Sequence, residues 1–225
     1  MLLAYLEQVE IKSIYLYPLG GISKLNIPLN ISPRKEIIIL IAGPLFQFIA
    51  YYILLRIMPT YKEVIKEYHF NILLFNLLPI YPLDGGKLLK ILLELFLPFQ
   101  ISYKLTIYIG YIVTLIIFLS IKSKKINAFL LLLFLIVIIT KEKNKKEILY
   151  EKFLLERYLN NFHFLKSKII NNEKNFYRNN KHIIKENEKY YLEREYLEKK
   201  YQNRWKLLTL KSLFVIIQLL TVNFS

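Results

Sequence analysis

Residues 76–86 read Asn76-Leu77-Leu78-Pro79-Ile80-Tyr81-Pro82-Leu83-Asp84-Gly85-Gly86, and they lie inside an apolar stretch running from His69 to Phe99. Two prolines and two glycines this close together rule out one unbroken helix. Backbone freed at membrane depth is tolerated only where protein or a water-filled cavity surrounds it. The stretch therefore predicts a broken helix lining an internal site. Asp84 is the residue that needs a role there. An ionised side chain at the centre of a bilayer costs at least ~2.5 kcal/mol on insertion scales, and such groups are paired, hydrated or bound to a cation. Gly85 and Gly86 let backbone come close to the carboxylate and release it from helical geometry. Two roles stay open on the residues alone. A carboxylate can be the third protein ligand of a catalytic zinc, with water in the fourth position. It can equally be the N-cap of a helix that starts near Gly85. Lys87 and Lys90 follow one turn apart and fit a membrane edge.

On either side of this segment lie further apolar runs. Residues 37–58 are nearly all apolar and long enough for the ~30 Å hydrocarbon core. Gly43-Pro44 near the start of that run favours a kink or a close helix approach. Residues 101–121 form a second clear span. Residues 128–140 are shorter, roughly 20 Å if helical, and thin for a full crossing. Before these spans, residues 10–26 change period. Ile11, Ser13, Tyr15 and Tyr17 alternate with Lys12, Ile14 and Leu16, and Gly20-Gly21 follows. That pattern predicts two short strands about a glycine turn, either a structural hairpin or an edge that pairs with an extended peptide. Residues 1–9 read as the end of an apolar helix, and the expectation is that upstream sequence precedes them.

Composition supports a division of the chain. Of 225 residues, 55% are hydrophobic and 32 are Lys or Arg, giving a formal charge of +15; mean hydropathy is +0.32. The apolar residues fill 36–140, whereas charges fill 141–204. The expectation is a membrane-embedded domain over 1–140 and a basic C-terminal tail over 141–225. Ile148, Leu149, Phe153, Leu155, Tyr158, Leu159 and Phe162 suit one or two amphipathic helices in that tail. Basic residues next to spans favour the cytoplasmic side and its anionic leaflet. The expected partner for the charge is the lipid bilayer, and no nucleic acid is expected. With no cysteine in the chain, disulfides and thiolate metal sites are excluded. Residues 205–225 are apolar again and would be interfacial or a weak last span.

The segment at 76–86 resembles the second catalytic motif of the site-2 protease family of intramembrane zinc metalloproteases, closest to the stage IV sporulation protein FB-like branch. Pro18-Leu19-Gly20-Gly21 resembles the family's hairpin after its first catalytic helix, and Gly43-Pro44-Leu45-Phe46-Gln47 resembles the start of its next span. Order and spacing agree over roughly residues 1–140. The resemblance implies that Asp84 is a zinc ligand, that Asn76, Pro79 and Pro82 shape the substrate groove, and that the complete protein cuts a membrane-associated protein. The fold class expected is mainly α: a multi-pass transmembrane bundle with a small β-hairpin and a helical cytoplasmic tail.

One departure is large. The family carries its zinc on His-Glu-x-x-His, where the glutamate activates water. The histidines here are His69, His163 and His182, and none has another four residues away. The family order puts that motif just ahead of the hairpin, at or upstream of Met1. No catalytic residue is identifiable in the chain itself, so it is expected to be inactive in this form. The alternative is a non-catalytic membrane scaffold of the same fold. A transporter with broken helices ranks last, since no inverted repeat is visible. His69 reads as an interfacial histidine, and His163 and His182 as solvated residues of the tail.

Overall fold

The computed structural model describes residues 11–17, 20–25, 28–120 and 126–202. The expectations for residues 1–9, 18–19, 122–125 and 205–225 lie outside them. The chain is mainly helical, with two small sheets. Strands β1 (Ile11–Tyr17) and β2 (Gly20–Leu25) pair antiparallel about the glycine turn, Tyr17 facing Gly20. Helix α1 (Pro33–Ile57) begins with a proline, where the missing N–H would have had no partner anyway, and carries Pro44 inside it. A 3-10 turn (Pro59–Tyr61) leads to α2 (Lys62–Asn76), which starts seven residues before the apolar run does at His69.

Helix α2 stops at Asn76, and α3 (Asp84–Glu94) resumes after a turn. The broken helix is thus present. Pro79 has no N–H to continue α2 and pushes Leu78 out of helical geometry. The turn that follows is pinned at Ile80, which is fully buried against Tyr103, Ile107, Leu135 and Ile139. The Tyr81–Pro82 peptide is cis. The turn then lies directly on the first coil of α3. A Cβ placed on Gly85 would sit 2.1 Å from the Leu77 carbonyl oxygen, and one on Gly86 would sit 2.3 Å from the Ile80 carbonyl carbon. Only glycine leaves room for backbone at that range.

Helices α4 (Phe99–Ser120) and α5 (Ile126–Asn144) run side by side behind the turn. The Tyr103 hydroxyl donates to the Glu142 carbonyl at 2.9 Å, and Tyr111 and Thr140 share a hydrogen bond of 3.1 Å. These contacts make the pair antiparallel. With 19 residues, α5 is longer than the expected 128–140 run and reaches roughly 28 Å. Helices α1 and α4 are long and apolar enough to cross a membrane. Only 6% of the apolar window in α1 is buried, so Ile38, Ile41, Leu45, Phe46, Ile49 and Ile53 point outward. An apolar face of that extent is not what a helix shows to water.

The expected helical tail is only partly helical. Helix α6 (Lys146–Leu159) is amphipathic as anticipated, and residues 193–202 are helical as well. Between them lies a three-stranded sheet in the order β3–β4–β5: β3 (Lys166–Ile170) is parallel to β4 (Asn180–Glu186), and β5 (Lys189–Leu192) is antiparallel to β4. The β4–β5 turn takes positive φ at Asn187 and Glu188. The core of this unit, with Tyr150, Phe153, Leu154, Ile170, Phe176, Ile184 and Leu197, also takes in Phe99 from the start of α4. Phe99 stacks on Phe153 at 4.4 Å.

Two arginines in that unit are buried and fully engaged. Arg157 donates to Asn30, Glu193 and the carbonyls of Tyr177, Arg178 and Asn180. Arg178, in the turn just before β4, reaches Glu94 on α3 at 2.8 Å, Glu36 on α1 at 2.5 Å and the Ile31 carbonyl. Burial alone would lower the Arg178 pKa, but Glu36 and Glu94 outweigh it and hold the group charged. Lys90 closes the cluster with a 2.8 Å pair to Glu94 and lies over the Phe99 ring. It is therefore an internal ion-pair partner, which corrects its reading as a membrane edge. His182 is likewise corrected from solvated to fully buried. Its Nε2 accepts from the Tyr177 amide, a group that can only donate, so Nδ1 carries the proton and donates to Glu193 at 3.0 Å. Burial pushes the His182 pKa down. Burial would raise that of Glu193, but the His182 hydrogen bond and Arg157 prevail and lower it.

Two outcomes follow for the full chain in detergent. Replacing Arg178 by Met leaves Glu36 and Glu94 short of a counter-charge and should destabilise it by roughly 3–5 kcal/mol; thermal unfolding followed by circular dichroism checks this, and a loss under about 1 kcal/mol would place the cluster at a solvated surface. Gly86→Ala should cost about 1–3 kcal/mol through overpacking, whereas Gly43→Ala should be close to neutral, because its Cβ would make only a 3.6 Å contact. Equal melting temperatures for the two variants would contradict the packing of the turn on α3.

Candidate functional site

The break between α2 and α3 gathers the residues singled out from the sequence. Asn76 is the last residue of α2, Pro79 and Pro82 lie in the turn, and Asp84 opens α3. All four are half-buried. The Asn76 side-chain amide makes no hydrogen bond among the described residues.

The alternative role for Asp84, as a helix cap, is not what the geometry gives. The N-cap position belongs to Leu83 in extended conformation, and no side chain caps the helix. Asp84 is instead the first helical residue, where a negative charge is favoured by the exposed N–H groups of the first turn. Its Oδ1 lies 3.2 Å from the Lys87 ammonium, and the carboxylate side chain is 32% exposed. Its Oδ2 faces Gly43 of α1, since a Cβ there would lie 3.6 Å away. Thus Gly43 of the Gly43-Pro44 element and Asp84 of the second motif, 41 positions apart in sequence, meet in the fold. The small residue leaves the carboxylate open on the α1 side.

His69 does not join them. It is buried between α1 and α2, stacked on Tyr51 at 4.3 Å and edge-on to Phe48 at 4.9 Å, with its carbonyl accepting from Gln47 at 2.9 Å. It is a packed ring rather than an interfacial one. His163 is exposed, as expected. Among the described residues, no group of three His, Cys, Asp or Glu side chains could hold a metal ion. The described residues therefore do not by themselves fit a catalytic zinc, which takes three protein ligands; Asp84 would supply one.

Sequence reasoning did not foresee the Arg178 cluster, which joins the tail sheet to the far end of the helix that Asp84 opens. Lys90 and Glu94 at i,i+4 were a readable pair, but Arg178 lies 84 residues beyond Glu94 and carries no local signal of that contact.

No family model matches the chain. Among curated proteins, it is 35% identical over 159 residues to the stage IV sporulation protein FB of Bacillus subtilis (strain 168), an alignment covering 66% of this chain and 55% of that protein. It is 33% identical over 120 residues to a zinc metalloprotease of Methanocaldococcus jannaschii, covering 49% of this chain and 34% of that protein. The chain thus spans about half the length of the first relative and about a third of the second. Both likenesses agree with the motif at 76–86 and support a relationship to the stage IV sporulation protein FB-like site-2 proteases.

Proposed function

We propose that this chain carries the aspartate side of an intramembrane zinc endopeptidase site of the site-2 protease type, acting on a membrane-associated protein. The supporting observation is Asp84 itself: a carboxylate at a helix break, free of a capping role, exposed in part and left open by Gly43. Asn76, Pro79 and Pro82 form the adjacent groove, and the unengaged Asn76 amide is suited to hold an extended substrate. Asp84 is one metal ligand; the remaining ligands come from residues other than those described. Residues 1–140 form a multi-pass membrane domain and 141–225 a basic tail on the cytoplasmic side. The outward apolar faces of α1 and α4 support the first assignment, and the excess of Lys and Arg after α5 supports the second.

A non-catalytic scaffold that binds a membrane partner through the same groove is the second reading. That Asp84 is not joined by two further His, Asp or Glu side chains in a metal-holding group among the described residues favours it.

One set of measurements separates the two. Residues 1–225 are produced alone and also preceded by a segment that bears His-Glu-x-x-His, and zinc per chain is measured in detergent. The longer form should hold about one zinc, and residues 1–225 alone should hold almost none. Asp84→Asn in the longer form should weaken zinc binding by more than the roughly tenfold that loss of a supporting partner brings. Zinc retained in full by that variant would remove Asp84 from the ligand set. The absence of zinc from every form would favour the scaffold.

A further inference from the structure

We propose that the seam between α4 and α5, where it meets α6, is a binding site for one anionic phospholipid. The proposal rests on the membrane reading of α4 but not on any role for Asp84. One groove along this seam is lined by Lys104, Tyr108 and Tyr111 of α4 and by Lys143 and Lys146 of the α5–α6 junction, with Ile107 at its floor. Its two ends differ in chemistry. Toward the tail it is cationic. Toward the middle of α4 it is aromatic and aliphatic.

The lysines are not absorbed by the protein. Lys104 lies over the Tyr108 ring at 5.7 Å, and among the described residues neither it nor Lys143 pairs with a carboxylate. Lys146 meets Glu147 at 3.4 Å, but that glutamate side chain is 75% exposed, so the pair is weakly held. The other nearby acid, Glu142, is already engaged by Lys145 at 2.5 Å. An adjoining surface shares Lys104 and Lys146 and adds Lys174. Three lysines therefore converge on this groove, with Lys174 beside it, against one exposed glutamate.

An occupant must satisfy both ends at once. A free phosphate would use the lysines and leave the Tyr108–Tyr111 wall bare. A zwitterionic lipid would bring its own cation to a site already rich in them. A phospholipid with net negative charge places its phosphodiester among the three ammonium groups and its acyl chains along Ile107, Tyr108 and Tyr111. Aromatic residues at the headgroup level and basic pockets between spans suit that arrangement.

Native mass spectrometry of the full chain in detergent tests it, titrated separately with phosphatidylglycerol, phosphatidylcholine and inorganic phosphate. The wild type should bind phosphatidylglycerol at least roughly tenfold more tightly than phosphatidylcholine, and inorganic phosphate only marginally. The triple variant K104Q/K143Q/K146Q should lose that preference. A control that removes the same charge elsewhere, K166Q/K181Q/K189Q, should keep it, and matching circular dichroism spectra establish that both variants fold. Equal binding of the two lipids, equal loss in both variants, or phosphate binding as tight as the lipid would overturn the proposal. A chain that stays soluble without detergent and takes up no lipid at all would instead overturn the membrane reading beneath it.

Discussion

The contact between a backbone turn and the first coil of a helix organises this molecule. Residues 77–82 lie on Gly85 and Gly86 so closely that no side chain fits at either position. That approach lets a chain interrupted by two prolines re-enter a helix within a few residues. It also fixes which residue comes first in that helix. Asp84 arrives at the break with its carboxylate toward α1, and Gly43 leaves it uncovered. Ile80 anchors the same turn from behind, in a socket made by α4 and α5 near Gly110. Glycines on one side and a buried isoleucine on the other hold backbone polar groups inside protein, which is the condition for non-helical backbone at membrane depth.

The basic tail is coupled to this arrangement rather than appended to it. Arg178 joins the tail to Glu94 on α3, the helix Asp84 opens, and to Glu36 at the start of α1, the helix that carries Gly43. Phe99, at the start of α4, and Leu29, just ahead of α1, enter the tail's core from outside it. Buried charges of this kind add little net stability compared with apolar residues of similar size, but losing one partner is costly. The cluster therefore ties the relative position of three elements to one guanidinium. Arg157, at the centre of the tail, does the same locally for Asn30, His182 and Glu193.

Much of this was readable from the chain. The break at 76–86, the glycine hairpin and the apolar spans follow from proline, glycine and hydropathy patterns, which are local. Helix α6 was legible from its apolar spacing. The tail sheet was not: its strands KSKII, NKHIIKE and KYYL are short and lysine-rich, so charge hides the alternation that marks a strand. His182 looked solvated because its neighbours in sequence are polar, whereas its burial depends on Glu193 and Arg157 from other elements. Lys90 looked like a membrane edge for the same reason. At the candidate site, Asp84 and the groove residues were named from the sequence, but its freedom from a capping role and its contact with Gly43 needed the fold. His69 shows the converse: aromatic rings from α1 that no local pattern links to it surround its side chain.

The apposition of Gly43 and Asp84 is the central claim, and thiol cross-linking measures it directly. The chain has no native cysteine, so a Gly43→Cys, Asp84→Cys double variant carries a single pair of thiols. In membranes, a short bifunctional thiosulfonate should join them within one molecule, with the linked peptides identified by mass spectrometry. A second double variant that pairs Asp84→Cys with Ile53→Cys, whose side chain faces outward, should give no such link. Failure of the first pair to join while both thiols still react with a small alkylating reagent would contradict the structure at its core.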